Sequence, residues 1–175
     1  MYKSVTAEEA VKVIKSNDRV YIQAAAAASQ ILINAMSARH EELRGVEVCH
    51  LHIEGETPYA DPKYKDSFHV NSLFIGKNVR HTIKAGNGSY TPVFLSEVPN
   101  LFKRNVLPVD VALIQVSTPD KHGYCSLGVS VEAILAVITN AMSSEVVIEK
   151  IWELLEGSIY EVGTFESKEI KEYGL

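Results

Sequence analysis

The stretch 109-VDVALIQVSTPDKHGYCSLGVSV-131 decides the fold of this chain. It opens with a short apolar run rich in β-branched side chains, between Pro108 and Pro119, which is typical of a buried strand in a parallel sheet. Small polar residues, turn formers and one histidine follow the run as far as Gly128. Because open α/β proteins bind ligands at the carboxyl ends of their strands, the stretch predicts a ligand site as well as a strand.

The same stretch resembles a known family. Residues 117–131 are similar to the signature of the acetyl-CoA hydrolase/transferase family, close to its 4-hydroxybutyrate CoA-transferase branch. Further matches lie at 20–36, 52–62, 74–80 and 88–102. The resemblance implies an α/β fold, with a mostly parallel sheet flanked by helices as in the N-terminal domain of CoA-transferases. It covers residues 1–141, so we expect that domain there and a divergent C-terminal extension or truncation segment at 142–175.

Composition narrows the class of protein. The formal net charge of −5 argues against a general nucleic-acid binder, since a basic face would shift the balance the other way. The N-terminus lacks an apolar signal core and no run approaches a membrane span, so we expect a cytoplasmic protein without a membrane partner. Cys49 and Cys125 suggest no disulfide framework, and reduced thiols are the simpler interpretation.

Hydrophobic periodicity and end signals predict the other elements. Thr6 and Glu9 form a capping box for the first helix, and Ser29 can cap the second. At 144–155 an apolar face favours a helix, and a strand at 145–148 is the alternative. The predicted helices cover 7–16, 29–40, 79–84, 96–104 and part of 129–140, and the predicted strands cover 19–23, 46–53, 69–75 and 158–165.

Five consecutive alanines at 24–28 lie between a predicted strand and the helix capped by Ser29. Small side chains let a ligand approach the backbone, and a helix N-terminus offers free N–H groups to an anion or a carbonyl oxygen. The alternative is that the alanines only pack tightly at a helix start. The resemblance favours an active-site loop, although many family members have glycine or proline where this chain has alanine.

Three further segments supply candidate binding residues. In the family, the loop at 54–59 lies near the acyl pocket, and Lys77 with Arg80 could pair with CoA phosphates or simply be solvated charges. In the loop after 116, His122 can shuttle protons and Ser126 offers a hydroxyl. The predicted substrate-binding residues are Gln23, Ala25, Ala26, Ala27, Glu56, Tyr59, His122, Gly123, Tyr124 and Ser126, and the predicted CoA-binding residues are Lys77 and Arg80.

Other chemistries find less support in the sequence. His50 and His52 could form a metal pair on one strand face, but no third ligand has suitable spacing, so we expect no metal site and partly buried, hydrogen-bonded histidines. No G-x-S-x-G elbow supports a serine hydrolase, and Cys125 is more consistent with a small buried thiol than with a nucleophile. The glycines of 86-GNG-88 lack the strand and helix context of a dinucleotide fingerprint.

The resemblance implies transfer of CoA between an acyl-CoA, such as acetyl-CoA or 4-hydroxybutyryl-CoA, and a short carboxylic acid. The family uses a nucleophilic glutamate that forms a glutamyl-CoA thioester, and this glutamate belongs to a later half that we expect to be missing here. We therefore assign no catalytic residue. CoA thioesters are expected as substrates, with no tightly bound cofactor and with the missing half or a homo-oligomer as partner. The alternatives are a truncated, non-catalytic domain that binds acyl-CoA or a subunit, and an unrelated α/β binding module.

Overall fold

The central strand of the fold is the apolar run of residues 111–116. The computed structural model describes residues 3–117, 121, 125–140, 145–150 and 160–163, which contain eight strands in one sheet. The strands are β1 Lys3–Val5, β2 Arg19–Ile22, β3 Val46–His50, β4 Phe68–Ser72, β5 Gly88–Tyr90, β6 Val111–Val116, β7 Glu145–Lys150 and β8 Tyr160–Gly163.

The sheet is mostly parallel, which confirms the predicted fold class. Its strand order is β1-β8-β7-β6-β2-β3-β4-β5. The six strands from β7 to β5 in that order are parallel to their neighbours, whereas β8 is antiparallel to both β7 and β1. The strand order reverses direction at β2, because the chain moves from β2 toward β5 and later returns to place β6 on the other side. Ligand sites of open α/β sheets lie at such a switch point.

The helices begin at the predicted caps but are shorter than predicted. The Thr6 hydroxyl accepts a hydrogen bond from the Glu9 N–H at 3.3 Å, and the Ser29 hydroxyl accepts one from Leu32 N–H at 3.3 Å. Gly86, at φ 80°, ends the third helix as predicted. The α-helices are α1 Ala7–Ala10, α2 Gln30–Ala38, α3 His81–Ala85, α4 Val98–Lys103 and α5 Ile134–Asn140, and the 3₁₀ turns are Val11–Val13, Arg39–Glu41, Pro58–Ala60, Pro62–Tyr64 and Leu95–Glu97.

The helix predicted for 144–155 is wrong in its first half. Residues 145–150 form β7, which runs parallel to β6 with Glu145 opposite Val111 and Lys150 opposite Val116. A run of Val146, Val147 and Ile148 suits a pleated strand, because β-branched side chains lose rotamer freedom in a helix. Pairing with the edge of β6 favours the strand over the helix in this segment. The last predicted strand is confirmed in β8, and the second half of the predicted helix lies outside the described residues.

Two apolar layers cover the faces of the sheet. Val111 and Leu113 of β6 pack into the layer that holds α1 and α2, while Ala112 and Ile114 pack into the layer that holds α4 and α5. All four are at most 2% exposed, so β6 is buried on both faces as its unbroken apolar run predicted. No helix in the described ranges combines the length and apolarity needed to cross a bilayer.

Candidate functional site

A cavity of about 680 Å³ opens at the carboxyl ends of β2, β3, β4 and β5. Each of these strands contributes wall residues from its last position or from the loop that follows it. The remaining wall comes from α4, the segment before it and the segment before α5. The lining residues are Ala24, Leu51, His52, Leu73, Phe74, Tyr90, Val93, Phe94, Leu95, Val98, Ser130 and Glu132.

Glu132 supplies the carboxyl group of this largely apolar wall. Its Oε1 accepts a hydrogen bond from the Ala24 N–H at 3.0 Å, and its Oε2 accepts one from the Ser130 hydroxyl at 2.8 Å. Burial raises the pKa of the Glu132 carboxyl above its usual value, and these two hydrogen bonds oppose that shift. The cavity wall therefore contains an exposed carboxyl group that two hydrogen bonds from the protein hold in place.

Gln23 connects the alanine loop to the segment that follows β6. Its fully buried side chain accepts a hydrogen bond from the Gln115 N–H at 2.7 Å. Its Nε2 group donates to the carbonyl oxygens of Leu127 at 3.2 Å and Ser130 at 2.7 Å. The structure thus places residues 127 and 130 beside the start of the alanine loop, but it directs the Gln23 side chain to protein groups. Substrate contact by Gln23 stays a prediction.

The amide groups of the alanine loop differ in what they contact. The Ala25 N–H donates to the carbonyl oxygen of His52 at 2.8 Å, and the Ala27 N–H donates to that of Ala24 at 3.2 Å. The N–H of Ala26 has no acceptor within the described part of the chain, and Ala26 is exposed. Of the three alanines predicted to bind substrate, Ala26 therefore offers a backbone donor that is free to meet a ligand.

Ala25 adopts the left-handed conformation, with φ 53°. A side chain in this region costs roughly 1–2 kcal/mol, which glycine avoids. We expect Ala25→Gly to raise the free energy of unfolding by roughly 0.5–1 kcal/mol, because relief of this strain outweighs the greater freedom of the unfolded chain. Ala26→Gly is the control. Because the φ of Ala26 is not positive, the substitution relieves no strain, and the greater freedom of the unfolded chain should lower the free energy of unfolding. Urea denaturation of both variants measures the two signs, and a loss of stability in both would contradict the prediction.

A second groove of about 560 Å³ lies next to the cavity. His52 and Phe74 line both, and their rings form an edge contact with centroids 5.9 Å apart. Lys77, one of the two predicted CoA-binding residues, lines the second groove and is exposed. Arg80 is exposed on the same segment but does not line either space.

The other predicted site residues are distributed around these spaces. Glu56 is exposed and lines a third groove, where its N–H donates to the Gln30 Oε1 at 2.9 Å. Tyr59 is fully buried, its hydroxyl has no hydrogen-bond partner in the described ranges, and burial raises its pKa. Ser126 is exposed, and its Oγ accepts a hydrogen bond from the Gly128 N–H at 3.2 Å. The remaining three, His122, Gly123 and Tyr124, lie outside the described residues.

The two histidines of β3 and its loop have different surroundings. His50 is fully buried beside Tyr59, with its Nδ1 atom 3.2 Å from the Leu51 carbonyl oxygen and its Nε2 atom without a partner among the described residues. His52 lies in the cavity wall because β3 ends at His50 and the strand alternation stops there. Across the described ranges, no three His, Cys, Asp or Glu side chains are grouped so as to hold a metal ion.

The sequence did not single out Glu132 or His52 as cavity residues. The signal for Glu132 was its isolated position, an acidic residue between the loop after β6 and the apolar face of α5. His52 was considered only as half of a metal pair. Both residues are identified as cavity residues by their neighbours in the structure and not by the local sequence pattern.

These observations define an α/β domain with a ligand cavity at the carboxyl edge of a parallel sheet. The family described as the acetyl-CoA hydrolase/transferase N-terminal domain matches residues 1–153, and the chain belongs to that family, which confirms the resemblance. The match continues past residue 141 through β7. The division at 141 stays a prediction.

Two curated relatives illustrate the similarity. The 4-hydroxybutyrate coenzyme A transferase of Clostridium kluyveri is 44% identical over 73% of this chain, which covers 30% of that protein. The succinyl-CoA:acetate/propanoyl-CoA:succinate CoA transferase of Fasciola hepatica is 40% identical over 77% of this chain, which covers 28% of that protein. The chain therefore spans less than a third of the length of these relatives.

Solved structures agree on the fold. A 4-hydroxybutyrate CoA-transferase from Porphyromonas gingivalis has a TM-score of 0.61 and is 32% identical, with 77% of this chain and 30% of that chain covered. RipA from Yersinia pestis has a TM-score of 0.69 at 23% identity, with 78% of this chain and 34% of that chain covered. The second likeness concerns the fold alone.

Proposed function

We propose that this chain forms the acyl-CoA-binding N-terminal domain of a CoA-transferase. The whole enzyme would move CoA between an acyl-CoA and a carboxylic acid, as the names of its relatives state for those proteins. The observation that carries the proposal is the apolar cavity at the strand ends, which shares His52 and Phe74 with a groove that contains Lys77.

The shape and charge of these spaces suit an acyl-CoA. Leu51, Leu73 and Val98 give the cavity apolar walls on which an acyl group and the thioester end of CoA can pack. The exposed ammonium group of Lys77, with Arg80 nearby on the segment, suits the phosphates at the other end of CoA. We therefore place the acyl group in the cavity and the CoA phosphates toward the second groove.

The Ala26 N–H is our candidate donor for the oxyanion. In the family mechanism, a glutamate attacks the thioester carbonyl and expels CoA thiolate to give a mixed anhydride. The thiolate then attacks the glutamyl carbonyl, which releases the first acid and leaves a glutamyl-CoA thioester for the acceptor acid. Each addition creates a negative oxygen that an oriented N–H group can stabilise. Among the N–H groups of residues 24–27, that of Ala26 has no acceptor in the described ranges and can supply that group, whereas we place the nucleophile outside this chain.

The remaining part of the enzyme would cover the mouth of the cavity. Phe74, Phe94 and Leu95 line the cavity and are 60%, 78% and 69% exposed. Neighbouring exposed side chains of this size form an apolar patch of the kind that marks an interaction surface. The patch supports a partner surface, from the rest of a longer protein or from a second subunit, above the acyl site.

Binding of acetyl-CoA tests the proposed function. Isothermal titration calorimetry should detect binding, and Lys77→Ala should weaken it by about two- to fivefold, as expected for loss of an exposed ion pair. Lys12→Ala is the matched control, because Lys12 is an exposed lysine of the first 3₁₀ turn and lines neither space. Absence of acetyl-CoA binding would refute the proposal. Binding without turnover is the expected outcome for this chain on its own, and also fits a non-catalytic acyl-CoA-binding domain.

Covalent trapping tests the location of the nucleophile. After incubation with acetyl-CoA and reduction with borohydride, we expect mass spectrometry to find no reduced glutamate in this chain. The reason is that Glu132, the carboxylate in the cavity wall, uses both oxygens in hydrogen bonds to Ala24 and Ser130. A reduced Glu132 would instead place the nucleophile within this chain.

A further inference from the structure

The acyl cavity contains one carboxylate among the described residues that line it. Glu132 provides it. The other lining side chains are aliphatic or phenylalanine, except for those of His52, Tyr90 and Ser130. Glu132 is exposed at the cavity wall, and its apolar neighbours there make its interactions with a bound ligand stronger than they would be in bulk water. The chemistry of this carboxylate therefore bears directly on which acyl groups can enter.

The carboxylate is also held in place. Ala24, which donates to Oε1 at 3.0 Å, is 1% exposed and belongs to the loop anchored by the buried Gln23. The Ser130 hydroxyl donates to Oε2 at 2.8 Å, and the Ser130 carbonyl oxygen accepts from Gln23. Because both oxygens accept hydrogen bonds from the scaffold, the carboxylate is held at the cavity wall.

We propose that Glu132 determines acyl specificity, by admitting acyl groups with an uncharged far end and disfavouring those that end in a carboxylate. The inference rests on the proposed function, because it requires the acyl group to lie in this cavity. A distal carboxylate would lose its water and face a fixed charge of the same sign. An uncharged alkyl or hydroxyl end meets no such repulsion, and a hydroxyl could donate to Glu132.

Butyryl-CoA and succinyl-CoA test the inference. Both have four-carbon acyl groups, but that of butyryl-CoA ends in a methyl group and that of succinyl-CoA ends in a carboxylate. Calorimetry at one fixed pH should show that this chain binds succinyl-CoA at least about tenfold more weakly, as expected for like charges a few ångströms apart near a protein surface. Glu132→Gln should reduce that ratio by about tenfold, chiefly by strengthening the binding of succinyl-CoA. The amide keeps an oxygen for the Ala24 N–H and an NH₂ group for Ser130, so the loop contacts can persist.

Two further variants separate the charge of Glu132 from its shape and from the net charge of the protein. Glu132→Asp keeps the charge and should keep most of the discrimination, whereas Glu97→Gln removes an exposed carboxylate that does not line the cavity and should leave the ratio unchanged. An unchanged ratio in a folded Glu132→Gln variant would overturn the specificity role while acyl-CoA binding stands. If neither thioester binds the wild-type chain, both the proposed function and this inference fail.

Discussion

Replacing Gln23 with alanine should lower the free energy of unfolding by roughly 3–5 kcal/mol, the largest single effect we expect outside the apolar core. The variant leaves the Gln115 N–H and the carbonyl oxygens of Leu127 and Ser130 without their partner. Each buried group that loses its hydrogen bond costs about 1–3 kcal/mol, and the missing side chain also leaves a void. Chemical denaturation followed by circular dichroism measures the change.

Gln115→Ala is the matched control for Gln23→Ala. Gln115 lies on the neighbouring strand β6, its side chain is half-buried, and that side chain makes no hydrogen bond to the described residues. We expect its loss to cost less than about 1 kcal/mol. If the two variants are equally stable, the Gln23 side chain does not hold the alanine loop against residues 127–130. The discrimination between butyryl-CoA and succinyl-CoA should fall along with stability only in Gln23→Ala, since Glu132 would lose its fixed position.

Acidification from pH 6.5 to pH 4 should destabilise the protein by roughly 3 kcal/mol through His50 alone. Burial lowers the pKa of His50 from 6.5 to about 4 in the folded protein. Between these two values the unfolded chain binds a proton that the folded protein does not, so stability falls as the pH falls. The stability that neutral His50 contributes is present above pH 6.5 and is progressively lost down to about pH 4.

The readout is the difference between the wild type and His50→Asn. The amide of asparagine does not titrate in this range, so the variant should lack this part of the pH dependence, whatever its stability at neutral pH. Subtraction removes the contributions of carboxyl groups. One of these is Glu132, whose raised pKa makes the free energy of unfolding fall as the pH rises above the ordinary pKa of a glutamate. Equal slopes in the wild type and His50→Asn would contradict the assignment.

Local pattern was enough for much of the fold. The apolar run of β6 predicted a strand buried on both faces, and the side-chain oxygen of Ser29 predicted the start of α2. Local pattern predicted the wrong element at residues 145–150. The apolar face there is compatible with a helix, but the β-branched residues of the same segment also suit a strand. Pairing with β6 supplies hydrogen bonds along the whole strand, and no local signal contains that information.

The candidate site was only partly predictable. The alanine loop and the segment after β6 stood out because small residues and turn formers follow predicted strands. Glu132 and the structural role of Gln23 did not, because each depends on contacts between residues more than a hundred positions apart. Neither side chain belongs to a local motif that assigns it a partner.

The sequence by itself determined the strands β2, β3, β4, β6 and β8, the starts of α1 and α2, and the family, since these depend on periodicity, capping chemistry and ordered motifs within short segments. Only the tertiary structure decided that Glu132 lines an apolar cavity, that the Gln23 amide is used by protein groups and that His50 is buried, which lowers its pKa. These three outcomes depend on burial and on hydrogen-bond partners that the parallel sheet brings together from distant parts of the chain, and the energy of a polar group is set by those partners.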